Sequence, residues 1–446
     1  MKWVKPGHPE YDETRKLFNA MIDRRPAVIA QCGTPADVAE ALQHARDHQL
    51  AVAVRAGGHS VAGMSTNDGG LVVDVRPMKT ISVDPANRTV TAGAGVTWGE
   101  FDRATQEHSL ATTGGRASTT GVAGFTLGGG SGWLERSYGF ACDNLLSVEL
   151  VTASGERITA SGQENPELFW ALHGGGGNFG VATSFTFQLH GLGPVVQAGL
   201  MLWPGEAASE IARSYRDIAL ASPDAVGTAL AYLTAPSEPF VPANMVGKMA
   251  AGVVYLYAGD PAEGVEHAEP FRELGPTVDL VGEMAYADFQ CMIDDPPDLY
   301  NYWSADYHAE LSDEALEVIV DSARQLPGPH SQNLVARWGG AVAGGSTTTP
   351  LRNRDANWVT HPFGLEETRE GGQKAREWVK KFRHHIAPYT TGGVWLNFVG
   401  DEGDARIRAA FGDENYARLA RVKAEFDPLN VFRGNQNIRP VHLQSA

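Results

Sequence analysis

Cysteine is scarce in this chain of 446 residues: there are 3, Cys32, Cys142 and Cys291. An odd, widely spaced set excludes a disulfide framework and offers no zinc-type spacing. It fits a reducing compartment with at least one free thiol. No apolar run approaches the ~20 residues that a membrane-spanning helix needs. The N-terminal Met1-Lys2-Trp3-Val4-Lys5-Pro6 has no apolar stretch after its charges, so no secretory signal is expected and the cytoplasm is the expected location. Asn87-Arg88-Thr89 matches a glycosylation sequon, which carries little weight without an export signal. Positive charge is in deficit, with 36 basic against 53 acidic residues and a net charge of −17. That sign opposes a polyanion, which argues against nucleic acid as a partner and otherwise serves solubility. Asp294-Asp295 and His384-His385 could tempt a metal assignment, but adjacent residues on a helix do not share a face. No further ligand spacing accompanies them, so no metal is expected.

Glycine, by contrast, is abundant at 51 residues, clustered at 57–70, 93–99, 114–132 and 174–180. The clusters flank apolar runs and so read as functional loops on a folded scaffold rather than as linkers. Thr34-Pro35-Ala36-Asp37 starts a helix, with a capping threonine and a proline at the first helical position. A buried strand over 51–54 runs into the loop 55–60, and further strands are expected over 71–75, 89–94, 145–152, 157–159 and 181–189. Thr97-Trp98-Gly99-Glu100 is a capping box, and Asn165-Pro166-Glu167 starts a short helix. Strand, glycine loop, strand and capped helix make an α/β arrangement. From Val195 the character changes. Strands expected over 195–203, 227–235, 250–258, 332–338 and 392–399 alternate with helices over 205–220 and 365–386, a second α+β unit on one sheet. An amphipathic helix over 416–425 stops at Asp427-Pro428. The length suits two or three domain-sized units.

Glycine loops suit phosphates because bare backbone can approach closely and point N–H groups inward. Any single cluster is equally a set of turns. Gly175-Gly176-Gly177-Asn178-Phe179-Gly180 matches G-x-G-x-x-G, yet it follows a helix and enters a strand, the reverse of a dinucleotide-binding turn. No G-x-x-x-x-G-K-[ST] occurs in these loops. A diphosphate cofactor held by another fold remains open. Ordered spacing says more. Arg55-Ala56-Gly57-Gly58-His59-Ser60 precedes Gly121-Val-Ala-Gly124-Phe-Thr-Leu-Gly128-Gly-Gly130, and then Tyr138-Gly139-Phe140-Ala141-Cys142-Asp143. The tail carries Asp427-Pro428-Leu-Asn430 and Asn435-Gln436-Asn437.

This ordered set resembles the berberine bridge enzyme-like family, FAD-linked oxidases of the vanillyl-alcohol oxidase superfamily. The resemblance is strong over 25–190 and 413–440 and weaker between. It implies an α+β, two-domain FAD-binding fold of the vanillyl-alcohol oxidase type. Residues 1–192 and 404–446 would form the FAD-binding domain, and 193–403 an inserted substrate-binding domain built on an antiparallel sheet. It further implies FAD bonded covalently to both His59 and Cys142, at the flavin's 8α-methyl carbon and ring carbon 6. Residues read alone leave His59 an ordinary loop histidine and Cys142 a small buried hydrophobe. Two bonds would hold the ring without a closed pocket and make it a stronger oxidant. The same resemblance places Arg55, Ala56, Gly57, Gly58, Ser60, Gly63 and Met64 around the diphosphate. Gly115, Thr119, Gly121, Gly124, Gly128, Gly130 and Tyr138 continue that wrap, with Val181 near the adenine and Asn435 and Asn437 returning to the flavin.

Oxidising an alcohol requires a base within hydrogen-bond reach of its hydroxyl. Many members of the family carry a tyrosine in a Tyr-x-Asn segment; here Trp395-Leu396-Asn397 stands in its place. Indole N–H is a donor only and cannot act as that base, while Asn397 stays in pattern. Tyr302, Tyr389, Tyr300, Tyr307 and Asp401 are candidates for the role. Trp303, Trp338, Trp358 and Trp395 are either walls for a flat substrate or plain core. The expected reaction is hydride removal from an alcohol, hemiacetal or amine carbon of a small organic substrate, with O2 as acceptor giving H2O2. A dehydrogenase using another electron acceptor stays open as an alternative. So do a flavin-loaded binding protein without turnover and a phosphate-ligand module without flavin.

Overall fold

The computed structural model describes residues 1–344, 349–400 and 402–443. The sheets form where apolar periodicity and turn chemistry agree. Lys2–Val4, Val28–Gln31, Leu71–Asp74 and Val52–Arg55 make a four-stranded sheet in that order, parallel except at its first pair. Ile81–Asp84, Thr89–Gly93, Val181–Gln188, Leu145–Val151 and Arg157–Ser161 make a five-stranded antiparallel sheet. Local capping works as expected. In the helix Pro35–Asp47 the Asp37 N–H donates to Thr34 Oγ1 at 3.2 Å, and the Thr34 N–H donates to Asp37 at 2.9 Å. Glu100 accepts from the Thr97 N–H at 2.8 Å at the start of the helix Trp98–Gln106.

Every strand of the third large sheet falls between Val195 and Glu366. Its nine strands are antiparallel, with Val195–Pro204, Met249–Tyr257, Val226–Thr234, Gln332–Arg337 and Trp358–Glu366 side by side at the centre. The helices Ala208–Ala221, Asp313–Ala323 and Arg369–Ile386 cover one face. There Tyr215, Tyr255, Ile319, Val335 and Phe382 build a buried core. The opposite face meets the first part of the chain.

Two expectations for the middle of the chain differ from the structure. The apolar run 392–399 is not a strand. It is irregular, with one 3-10 turn at Leu396–Phe398, and Val394, Trp395, Leu396 and Val399 are buried in the first core. The segment therefore rejoins that core well before residue 404. The helix expected from 365 starts at Arg369 instead, capped by Thr368, because 358–366 is an interior strand of the sheet. The helix Asp404–Phe426 kinks at Gly412, whose φ is +70°. Its end is fixed by the fully buried Lys423, which donates to Asp427 at 2.7 Å, to the Asn178 carbonyl at 2.6 Å and to the Phe432 carbonyl at 3.0 Å. An ammonium stripped of water is tolerated only with such complete pairing. This knot ties the tail to the 174–180 loop. No helix among the described residues is long and apolar enough to cross a membrane.

Candidate active site

One cavity, partly open to solvent, lies between the glycine loops and the nine-stranded sheet. Its floor is apolar, from Val52, Val54, Val75 and Ala182, which are strand residues of the first two sheets or their ends. Its glycine walls come from separate stretches of sequence. Ala56, Gly57, Gly58, His59, Ser60 and Met64 form one. Gly115, Gly121, Gly124 and Gly128 form a second, and residues 174–177 a third. At the facing pair Gly57 and Gly121 glycine is obligatory. They meet backbone to backbone, so a Cβ on either would strike the other's amide nitrogen. A Cβ on Gly128 would run into the Asn397 side-chain amide, which donates to the Phe125 carbonyl at 2.8 Å.

His59 stands on this wall. Its ring stacks on Phe18, centroids 4.0 Å apart at 17°. Its Nε2 lies 3.0 Å from the Thr119 hydroxyl and its Nδ1 3.4 Å from that of Thr120. The ring reaches the cavity but protein encloses it, so loss of solvation pulls its pKa down to about 4. The imidazole is therefore neutral, the form with a nucleophilic nitrogen.

Several expected cofactor contacts lie elsewhere. Cys142 is fully buried and is not among the cavity-lining residues. Gly128 and Ser131 reach the cavity, whereas Gly129 turns against Trp395 and Leu351, and Gly130 against Ala141 and Phe125. The Cys142 amide donates to the Gly129 carbonyl at 2.9 Å, behind that loop. Burial, with Asp143 beside it, pushes the thiol pKa well up, and a neutral thiol is not a nucleophile. Cys142 is thus packed in the core beside the glycine loop rather than on the cavity wall. Arg55 also turns away and donates to the Thr14 and Lys16 carbonyls. Gly63 faces Ile22, Tyr138 stacks on His190 at 4.0 Å, and Val181 is buried beside the lining residues Gly180 and Ala182. Thr119 touches His59 rather than the cavity. Asn435 lines it, and Asn437 does not.

The catalytic candidates separate in the same way. Trp395 is buried against Phe140 at 4.4 Å and Trp338 at 5.3 Å, outside the lining, while Asn397 is on the wall. Tyr302 sits under Arg376 at 5.2 Å, Tyr300 packs on Gly372, Tyr307 is core beside Trp338, and Tyr389 packs against the helix-covered core. None of these tyrosines lines the cavity. Asp401 lies outside the described residues. Trp338 and Trp358 are fully buried, and only Trp303 of the tryptophans reaches the cavity.

The far wall was not legible from motifs. Trp303 pairs with Phe363, Phe363 with Gln332, and His361 with Leu334, so residues from three antiparallel strands share one face. Asp295 and Arg116 complete it, with Phe398 stacked on His361 at 4.0 Å. The only available signal was period-two alternation in 332–334 and 361–363. Residues 174–177 were also missed. The order of elements around them, the helix Pro166–Leu172 before and the strand Val181–Gln188 after, is as read, yet their bare backbone still lines the cavity.

The residues present fit a long diphosphate cofactor. A Cβ on Gly124 or Gly177 would meet nothing within 4 Å, so bare backbone faces open space on two walls. The side-chain oxygens of Asn435 and Asn437 are buried without a partner.

The comparisons agree. Residues 26–161 match the family model described as FAD binding domain, and 395–439 the one described as berberine and berberine like. The chain is 32% identical to (R)-6-hydroxynicotine oxidase of Paenarthrobacter nicotinovorans, covering 98% of this chain and 96% of that one. It is 30% identical to an FAD-linked oxidoreductase of Dictyostelium discoideum, over 98% and 94% of the two chains. The crystal structure of 6-hydroxy-D-nicotine oxidase from Arthrobacter nicotinovorans superposes with a TM-score of 0.88 at 27% identity, covering 98% of each chain.

Proposed function

Because the chain belongs to the berberine bridge enzyme-like family of FAD-linked oxidoreductases, we propose that it is an oxidase whose FAD is bonded covalently through His59 alone. It removes hydride from an alcohol, hemiacetal or amine carbon of a small organic substrate, with O2 as the final acceptor and H2O2 as product. The observation that carries this reading is the single cavity joining a neutral, ring-stacked histidine to an aromatic wall on the inserted sheet. Bound FAD would supply the two-electron acceptor for the hydride.

The chain's own residues hold and orient. Residues 56–60, 115–128 and 174–177 would hold the cofactor's length, with Asn435 returning from the tail. Phe18 fixes the plane of His59, and the hydroxyls of Thr119 and Thr120 fix its rotation. Asn397 presents its amide at the junction of the glycine wall and the sheet. In this reading residues 1–192 and the return from the Val394 region onward form the cofactor unit, and the nine-stranded sheet is the floor of the substrate unit.

The test is anaerobic mixing of the purified yellow protein with amines, alcohols and aldoses, followed by air. Bleaching of the flavin absorbance and then stoichiometric peroxide is expected. Bleaching that air reverses only in the presence of an added acceptor would replace the oxidase by a dehydrogenase. No bleaching with any of the three classes would favour a flavin-loaded binding protein.

A further inference from the structure

His59, Arg116, Asp295 and His361 are the ionisable side chains on the cavity wall. Two of them are committed. His59 is the proposed flavin attachment. Arg116 does not give up its proton, and it is held by the buried Glu135 at 2.9 Å. The described tyrosines considered for proton removal do not line the cavity, and neither does Trp395. Asp295 and His361 are left as proton acceptors.

His361 has the geometry for it. It lies on the strand Trp358–Glu366 opposite Leu334, and both residues line the cavity. Its ring stacks on Phe398, centroids 4.0 Å apart at 21°. Phe398 follows Asn397, the residue that fills the space beside Gly128 on the glycine wall. His361 also lies 5.8 Å from Trp303, which is 6.1 Å from Phe18, the ring stacked on His59. Ring contacts thus connect it both to the Asn397 junction and to the residue that holds the flavin-linking histidine.

Its side chain is unfinished. His361 is 4% exposed, and its Nε2 is buried without a hydrogen-bond partner. A buried polar nitrogen left unpaired is costly, and the cavity is the open side from which a partner can come. Burial, with Arg116 nearby, holds the ring well below the usual histidine pKa, so it is neutral. A neutral imidazole keeps one nitrogen free to accept a proton.

We propose that His361 is the proton acceptor of the oxidation, the role that Trp395 cannot fill. This deepens the proposed oxidase and rests on it. The substrate carbon gives up a hydride to FAD, the O–H or N–H bond beside it breaks, and the electron pair of that bond completes a C=O or C=N group. The proton goes to the imidazole. The ring then gains one positive charge as the hydride carries one negative charge to the cofactor, which offsets the cost that burial places on a lone imidazolium. The faces of Phe398 and Phe363, 4.0 and 3.7 Å away, also attract a cation.

The test uses the holoprotein and two readouts. Anaerobic stopped-flow mixing with a panel of amines, alcohols and aldoses reads the rate of flavin bleaching. His361→Gln and His361→Asn should load FAD normally and bleach about 100-fold or more slowly at saturating substrate. The substrate concentration for half-maximal rate should change by less than about ten-fold. Independently of turnover, NMR of the holoprotein labelled with 15N-histidine should show the His361 ring neutral from about pH 8 down to about pH 5. Its signal is identified by its loss in His361→Gln. Bleaching at the unmutated rate in both variants, or a ring that titrates near pH ~6.5 like a solvated histidine, would overturn the assignment alone. A loss in Asp295→Asn that the His361 variants do not share would pass the role to Asp295 and overturn it too. No bleaching of the unmutated protein by any class would fault the oxidase reading and the assignment with it.

Discussion

The imidazole of His59 lies face to face on Phe18, and its Nε2 and Nδ1 each sit beside a threonine hydroxyl. A covalent bond forms efficiently only when the reacting nitrogen is held in line with its target. Phe18→Ala removes the plane that holds the ring but no group that bonds to FAD. The expected outcome is a protein that binds FAD with a smaller acid-resistant fraction, measured as the ratio of precipitated to total flavin. An unchanged ratio would show that the stack does not orient the histidine.

Gly57 and Gly121 touch through bare backbone where the first two glycine walls meet. No flexible side chain is available to yield there. Gly121→Ala should therefore destabilise the fold by about 3 kcal/mol or more and abolish flavin loading. Chemical denaturation and visible absorbance check both, and a normally yellow, normally stable variant would contradict the packing.

Asp102 lies behind the cavity wall, fully buried. Gln290 Nε2 donates to it at 3.0 Å and to the Gly115 carbonyl at 3.3 Å. Burial raises its pKa to about 7, opposed only by the Gln290 hydrogen bond and Arg103. The unfolded chain loses this proton near pH ~4, whereas the folded chain keeps it to about 7. The folded state thus binds more protons across that window, and stability falls as pH rises through it. Asp102→Asn imitates the protonated acid and should remove the loss, stabilising by up to about 4 kcal/mol near pH ~8 and by little near pH ~4. Urea midpoints at the two pH values check it. The same gain at both would refute a titration origin.

What the sequence made legible was local. Thr34 with Asp37 and Thr97 with Glu100 cap their helices within four residues, and such pairs do not depend on distant contacts. The glycine stretches around His59 and Gly121, which the family resemblance places around a diphosphate, line the cavity. What failed was non-local. The run at 392–399 is apolar because several elements bury it, and that pattern is the same for strand and for irregular core. Cys142 follows a glycine loop in sequence, yet the turn at Gly129 and Gly130 carries it behind the wall. The far-wall residues Trp303, Gln332, Leu334, His361 and Phe363 are spread over strands joined only by long-range pairing.

The account turns on a single attachment at His59, and acid precipitation of three proteins tests it directly. The unmutated protein and Cys142→Ala should each give a yellow pellet whose intact mass carries one FAD. His59→Ala should give a colourless pellet with FAD in the supernatant. A His59→Ala pellet that stays yellow, or a Cys142→Ala protein that loses the added mass, would place a linkage at Cys142 and contradict its burial behind the glycine loop.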